Sequence, residues 1–366
     1  MKTRLAYLDN LKVLLTVLVI ILHASAAYGG PTNFSVAQAA DSALARLVFA
    51  AIAVLCQPFV LGCYFFIAGY LTPPAQAGHG TQFLRRRLRQ LGLPLLAYDL
   101  LGERLIAAEI ALAEQGWPAA RTAFWATPLV IGSGPLWFVE RLLCLTLLWV
   151  LAEKWLAPVL VRLRLTAPTI GWLCGGLGLV SFAVRIVWPF QRELQFLSID
   201  FPWLPLQYPA YFLLGIAAYR NQELARLDRR AALHWLLSAW VVLGFFGGLY
   251  VYGGGLDHPL LFAGGLRWQS LAAALFEQYF GLALTLGLLG IFQQWANRPW
   301  PTWLTRPTFW VYGLHAPLLV AVWLLLRRWT LPSLGAFGLT GVMTVGVSWG
   351  LALLCMEINR RWMPRI

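Results

Sequence analysis

The chain of 366 residues is 60% hydrophobic and only 12% charged, and it contains 19 tryptophans and 21 phenylalanines. A soluble domain carries roughly 25% charged residues, and disordered chains are poor in large apolar side chains. Both classes are therefore excluded, and the bilayer is the expected solvent. The net charge of +13 raises the question of a nucleic-acid partner, which the positions of the basic residues decide.

Ten apolar segments are long enough to cross a bilayer, which takes roughly 20 helical residues. They lie at approximately 11–28, 47–71, 91–112, 135–152, 169–188, 204–219, 232–252, 268–292, 307–326 and 335–357. The third carries a polar stripe at helical spacing, which we expect to face the protein interior; it consists of Asp99, Glu103, Arg104 and Glu109. The sequence predicts an all-α integral membrane protein of about ten transmembrane helices, in which residues 1–366 form one transmembrane domain without a separate soluble domain.

Most of the 28 basic residues fall on one side of the membrane when the N-terminus is placed in the cytoplasm. This asymmetry predicts that both termini are cytoplasmic, and it explains the basicity without nucleic acid. The N-terminal segment also resembles a cleavable signal peptide, but Asp9 and Lys12 near its start favour its retention as the first span. The five cysteines lie in apolar runs without metal-ligand spacing, so neither a disulfide framework nor a metal site is expected.

The first span places four polar side chains, Asp9, Lys12, Thr16 and His23, on one helical face. Lys12 and His23 are eleven residues apart, which is close to three whole turns and about 16 Å along the axis. The face thus carries a cation near the cytoplasmic surface and an imidazole deep in the membrane. An ionisable group at that depth needs a cavity or a partner, so a structural contact and a functional role are both open for His23.

A cluster of arginines, Arg85, Arg86, Arg87 and Arg89, marks the entrance of the third span. Anchoring on anionic lipid is the ordinary interpretation of such a cluster. Guanidinium groups also match the geometry of phosphates, so binding of a nucleotide-bearing donor is the functional alternative.

Two further intramembrane groups are candidates for chemistry. Glu140 lies near the outer end of the fourth span, and a carboxylate bonded to His23 would fix the imidazole tautomer and raise its basicity. His315 precedes Pro317, which removes a helical hydrogen bond in the ninth span. For His315 a helix-packing role and a functional role are equally open.

Together these motifs resemble the membrane acyltransferase-3 family, including its OpgC/MdoC-like glucan O-acyltransferase branch. The matching pieces occur in the expected order over almost the whole chain: Tyr7-Leu8-Asp9-Asn10-Leu11-Lys12 with ten residues before His23, Arg86-x-x-Arg89, Pro135-Leu136-Trp137-Phe138, Tyr211-Phe212-Leu213-Leu214-Gly215 and Tyr312-x-x-His315-x-Pro317. The combination is far more specific than any single piece.

The resemblance implies a ten-helix enzyme of the cell membrane, typically the bacterial inner membrane, that moves an acyl group from cytoplasmic acyl-CoA to a hydroxyl of an extracytoplasmic glycan or glycolipid. Acetyl-CoA is the first expected co-substrate and succinyl-CoA the second, and no permanently bound cofactor is implied. The family's essential histidine matches His23, and its donor-binding basic residues match Lys12, Arg86 and Arg89. Asp9, Asn10, Tyr312 and His315 would support the site. Some members carry an extracytoplasmic hydrolase-like domain, so either a separate partner protein or this chain alone completes the transfer.

Two mechanisms and one other function class stay open at this point. His23 would act either as a general base towards the acceptor hydroxyl or as a nucleophile that forms an acyl-histidine. The other class is a transporter or flippase for an anionic lipid or glycan, whose folds often contain two related halves with interrupted helices. Prolines interrupt several apolar segments, but no convincing internal repeat accompanies them; they are Pro58, Pro94, Pro209 and Pro317.

Overall fold

A computed structural model describes residues 5–76, 80–129, 134–188 and 206–362, and the regular secondary structure of these residues is all helical, without a strand. The α-helices of these residues are, in chain order, α1 (Ala6–Ala27), α2 (Ala43–Cys56), α3 (Val60–Gln76), α4 (Gly80–Arg87), α5 (Leu93–Gln115), α6 (Trp117–Ala126), α7 (Trp137–Leu160), α8 (Ala167–Val187), α9 (Gln207–Arg220), α10 (Arg229–Tyr252), α11 (Trp268–Trp295), α12 (Thr302–Thr305), α13 (Thr308–Leu326) and α14 (Ser333–Trp362). The all-α prediction is therefore confirmed for the described part of the chain.

Eight helical segments of the described residues are long and apolar enough to cross a membrane. The other two predicted spans correspond to α5, which carries the polar stripe, and to α9, which has only 14 residues. Residues 204 and 205, at the start of the predicted sixth span, lie outside the described residues. The multi-pass membrane architecture stands, whereas the number ten and the cytoplasmic termini stay predictions.

The predicted second span, 47–71, is not one regular helix. Helix α2 ends at Cys56 and α3 begins at Val60, with Pro58 between them. Proline lacks a backbone N–H and its ring clashes with the preceding helical turn, so the interruption has a local cause.

The chain forms two compact units. The first unit comprises Met1–Leu11, Pro58–Arg89 and Arg141–Arg298. Within it α3 packs against α9, and α11 packs against α8 and α10. A Cβ on Gly69 would lie 1.9 Å from the carbonyl oxygen of Phe212, and one on Gly215 would lie 2.0 Å from that of Phe66. Glycine at both positions therefore lets the backbones of α3 and α9 touch, as small residues do between membrane helices.

The second unit comprises Lys12–Gln57, Gln90–Glu140 and Pro299–Ile366. In it α13 packs against α5 and α14. A buried cluster joins the C-terminal end of α1 to α13 and α14 through residues such as Ala24, Ala316 and Ala336. Small side chains at these contacts bring α1 close to α13, and this packing positions the two histidines of the unit.

Candidate active site

The polar face predicted on the first span lies on one uninterrupted helix, α1. Eleven residues separate Lys12 from His23, which corresponds to about 16 Å along the axis of a continuous α-helix. The hydroxyl of Thr16 donates to the carbonyl oxygen of Lys12 at 2.8 Å. Thr16 is thereby hydrogen-bonded within its own helix, as a mid-helix threonine commonly is.

The imidazole of His23 meets a second imidazole, that of His315 on α13. The Nδ1 atom of His23 lies 2.8 Å from the Nε2 atom of His315. The ring planes differ by only 3°, and the ring centroids are 5.1 Å apart. A centroid distance this large with so short an N···N distance requires the rings to lie edge to edge in one plane. The hydrogen bond therefore lies in the plane of both rings, close to the linear geometry that is strongest.

The far nitrogen of His315 is also bonded. Its Nδ1 atom lies 2.6 Å from the carbonyl oxygen of Tyr312, three residues earlier on α13. Long side chains of a helix point towards its N-terminus, so an i to i−3 contact of this kind follows from helix geometry. The result is a chain of hydrogen bonds from the backbone of α13 through His315 to His23.

The two imidazoles differ in accessibility. The side chain of His315 is fully buried, with 0% exposure, whereas His23 is partly exposed. Phe34, from the segment between α1 and α2, lies over the face of the His23 ring with the centroids 5.2 Å apart. Of the two histidines, only His23 has part of its surface exposed.

Tyr312 connects the pair to the segment before α7. Its hydroxyl donates to the carbonyl oxygen of Pro135, and its ring packs edge to face on Phe138 at 5.8 Å. Glu140, the carboxylate predicted to hold His23, follows on the first turn of α7. The partner seen for Nδ1 of His23 is instead the imidazole of His315, and a role for Glu140 at His23 stays a prediction.

The arginine cluster occupies a different structural setting, in the first unit. Arg85, Arg86 and Arg87 form the last turn of α4, and Arg89 lies on the π-helical turn Leu88–Gly92 that leads into α5. Arg87 stacks over the ring of Phe83 at 5.3 Å and is partly buried. The other three guanidinium groups are exposed, and no ion pair found among the described residues involves them.

A family model described as an acyltransferase domain, that of acyltransferase-3, matches residues 5–353. The chain belongs to the acyltransferase-3 family. Family membership and the apolar helices together make it a multi-pass membrane acyltransferase. No curated protein and no solved structure matches the chain.

Of the predicted supporting residues of this acyltransferase, Tyr312 and His315 lie at the candidate site. Asn10 is fully buried, and its Nδ2 atom donates to the carbonyl oxygens of Ala296 and Arg298 at 2.7 and 2.8 Å. Ala296 directly follows the last residue of α11, so Asn10 satisfies carbonyl groups that the helix end leaves open. This contact is structural, and Asp9 beside it on α1 stays a candidate without an observed role.

Three residues of the site were missed by sequence reasoning: Phe34, Tyr98 and Gly134. The hydroxyl of Tyr98 donates to Glu103 at 3.4 Å on α5, and Gly134 borders both side chains. A Cβ on Gly134 would lie 2.3 Å from Glu103 Oε1 and 2.6 Å from Tyr98 Oη, and its φ of +54° is left-handed. Glycine therefore fits the residue before Pro135, where any other side chain would have to displace Glu103 and Tyr98. A glycine followed by proline was the only sequence signal for this turn.

Proposed function

We propose that the protein is an O-acyltransferase that moves an acyl group, acetyl first and succinyl second, from cytoplasmic acyl-CoA to a hydroxyl of an extracytoplasmic glycan or glycolipid. The observation that carries the proposal is the partly exposed His23 imidazole held in plane by His315 in a chain of the acyltransferase-3 family. A buried ring behind an accessible one is the arrangement expected for an acid–base group that touches substrate on one side only.

The transfer needs one group that accepts and returns a proton. Nε2 of His23 removes the proton of the acceptor hydroxyl while the oxygen forms a bond to the thioester carbonyl carbon. The carbon–sulfur bond then breaks, its electron pair goes to sulfur, and the imidazolium returns the proton to the CoA thiolate. Imidazole is the side chain that most often performs both halves of such an exchange, because one ring can accept a proton and return it.

The donor assignment rests on the arginines. Acyl-CoA carries phosphates that exposed, unneutralised guanidinium groups bind in bidentate fashion. Arg86 and Arg89 are exposed, and Lys12 lies on the same helix as His23. We assign Arg86, Arg89 and Lys12 to the donor and His23 to the reacting atoms. Cytoplasmic acyl-CoA agrees with the predicted cytoplasmic side of these arginines, and the resemblance to the family implies the extracytoplasmic acceptor and the bacterial inner membrane.

Donor binding is tested first, because it needs no knowledge of the acceptor. Purified protein in detergent is heated with acetyl-CoA, succinyl-CoA or free CoA, and thermal stabilisation is measured. We expect saturable stabilisation that Arg86→Ala/Arg89→Ala removes. Arg162→Ala/Arg230→Ala is the matched control, because it deletes two charges from exposed positions of the same unit. If neither acetyl-CoA nor succinyl-CoA stabilises the protein, the donor assignment is contradicted.

Transfer is tested with radiolabelled acetyl-CoA or succinyl-CoA on membrane vesicles that contain the protein. We expect alkali-labile label in the glycan or glycolipid fraction, lost in His23→Ala and kept in His234→Ala, which changes an exposed histidine of α10. Label bound to the protein itself would indicate an acyl-histidine route. Movement of an anionic lipid or glycan across liposomes without covalent change would instead establish the transporter class.

A further inference from the structure

We propose that His315 is a positioning residue that fixes the tautomer of His23, so that Nε2 of His23 is the reactive nitrogen. The inference deepens the proposed function and rests on it for its catalytic meaning. The tautomer itself follows from hydrogen-bond logic that holds whatever the protein transfers.

The argument begins at the backbone. A carbonyl oxygen only accepts hydrogen bonds, so the Nδ1 atom of His315, 2.6 Å from the Tyr312 carbonyl oxygen, carries a hydrogen. A neutral imidazole has a hydrogen on one nitrogen only, so Nε2 of His315 presents a lone pair. The Nδ1 atom of His23, 2.8 Å away, must then donate to it. The lone pair of His23 is thereby left on Nε2.

In a free neutral histidine, either ring nitrogen can carry the hydrogen. In a protein, the hydrogen bonds that the two nitrogens make determine which tautomer is present. In the Ser-His-Asp hydrolases a carboxylate fixes the tautomer of the catalytic histidine. Here a second imidazole, itself fixed by a main-chain carbonyl, occupies the position of that carboxylate. The pair carries no formal charge in its resting form, which avoids placing an anion in the membrane interior.

The in-plane geometry also serves the reaction. When Nε2 of His23 takes the acceptor proton, the ring becomes a cation, and its Nδ1–H then donates a charge-assisted bond to His315, roughly twice as strong as a neutral bond. The ring of Phe34 lies at 5.2 Å from the ring of His23, within the distance of about 6 Å at which an aromatic face attracts a cation. Both contacts therefore strengthen as the proton arrives.

Burial separates the roles of the two histidines. His315 has 0% exposure, and both of its nitrogens are engaged, so it has no atom with which to touch a substrate. It acts through His23, which is partly exposed.

The first test reads the tautomer directly. The chain has five histidines, so selective ¹⁵N-histidine labelling gives a simple spectrum of the protein in detergent or lipid. His23→Asn identifies the His23 signals by their loss. We expect His23 in the wild-type protein to carry its proton on Nδ1 with a lone-pair signal for Nε2. A wild-type His23 protonated on Nε2 and unprotonated on Nδ1 would overturn the proposal.

The second test compares two substitutions of the buried ring. Glutamine at position 315 retains a hydrogen-bond acceptor near the place of Nε2, whereas leucine has a similar size and no acceptor. We expect His315→Leu to lower kcat by at least about 100-fold with the KM for acyl-CoA nearly unchanged, as for loss of acid–base catalysis. We expect His315→Gln to stay within about tenfold of the wild-type kcat, because the acceptor persists.

Equal kcat values for the leucine variant and the wild type would contradict the proposal, and so would equal losses in two folded variants. Variants that do not fold leave the wild-type spectrum to decide. Failure of the proposed function is distinguishable, because in that case His23→Ala retains acyl transfer while the tautomer measurement is unaffected.

Discussion

His23 and His315 lie on two long helices and meet in one plane, with every nitrogen of the buried ring hydrogen-bonded. Arg86 and Arg89 lie on a short helix and its π-helical extension, exposed and without an acidic partner among the described residues. The first region is fixed before any substrate arrives, because its atoms have their partners already. The second keeps its charges solvated and available.

The difference between the two regions separates chemistry from binding. A preorganised group in a partly water-excluded place needs little rearrangement when charge develops on it, and this favours a fast chemical step. Exposed charges act over distances of roughly a Debye length and are screened by salt, so they attract an anionic donor without holding it in one geometry. The His23–His315 pair should therefore determine kcat, and Arg86 and Arg89 should determine the affinity for the acyl donor.

The largest expected effect follows from removing the reactive ring. We expect His23→Gln to lower kcat about 10²–10⁴-fold, the usual contribution of a general acid–base group, while the Kd of acyl-CoA changes little. Steady-state kinetics and thermal shift on the same preparation check both values. An equal loss of donor affinity would mean that His23 belongs to the binding region, and the separation would fail.

The second effect is on affinity. We expect Arg86→Ala/Arg89→Ala to weaken acyl-CoA binding by about 10- to 100-fold, since hydrogen bonds to charged groups contribute roughly 1.5–3 kcal/mol each, less at exposed sites. Wild-type affinity should fall as salt is raised, and the double variant should show a shallower salt dependence. A loss of kcat at saturating donor would contradict this assignment.

The sequence pattern predicts which residues belong to these two regions better than it predicts which of those residues contact each other. The alignment of Lys12 with His23, and the proximity of Tyr312 to His315, follow from helical spacing, which is a local property. The pairing of His23 with His315 joins residues 292 positions apart, and no periodicity encodes it. Small residues such as Ala24 and Ala316, which bring the helices together, look like any other apolar positions in a membrane segment.

A third prediction concerns the turn that meets Tyr312. We expect Gly134→Ala to destabilise the protein by about 1–3 kcal/mol, because the new methyl group collides with Glu103 and a left-handed φ disfavours a side chain. The shift of Pro135 should also lower kcat. Gly254→Ala is the control, since Gly254 also has a positive φ, of +78°, and a Cβ there would meet only Leu261, at 4.0 Å. Thermal unfolding of both variants separates the effect of the collision from that of backbone strain. Equal losses of stability in the two variants would show that the collision contributes nothing.

A fourth, smaller effect concerns the ring above His23. We expect Phe34→Leu to reduce kcat about two- to fivefold, since a cation on an aromatic face gains roughly 0.5–1 kcal/mol. Phe34→Tyr keeps an aromatic face and should stay close to the wild-type rate. Steady-state kinetics of the two variants decide, and an equally active leucine variant would remove Phe34 from the preorganised region.

The smallest effect concerns the end of the segment that carries Phe34. The carboxylate of Asp41 accepts from the backbone N–H of Ser333 at 2.7 Å, and Asp41 N–H donates to the Ser333 hydroxyl at 3.1 Å. The Ser333 N–H, at the start of α14, lowers the pKa of Asp41 below its usual value. A lowered pKa stabilises the folded state above the unfolded value of about 3.9, and this contribution is lost as pH falls through the folded pKa.

We therefore expect Asp41→Asn to lower Tm slightly near neutral pH, with a difference from the wild type that shrinks below about pH 4 as the wild-type carboxylate is protonated. Thermal unfolding of both proteins across that range measures it. A difference that persists unchanged at the lowest pH would show that the carboxylate charge is not what ties Asp41 to α14. The effect concerns the contact between Asp41 and Ser333 and not the reactive ring of His23. The variant and the wild type should therefore have the same kcat at neutral pH, measured below the Tm of both proteins. A reduced kcat would instead mean that the position of Phe34 beside His23 depends on the Asp41 carboxylate. The preorganised region would then include the contact of Asp41 with the N-terminus of α14 as well as the imidazole pair.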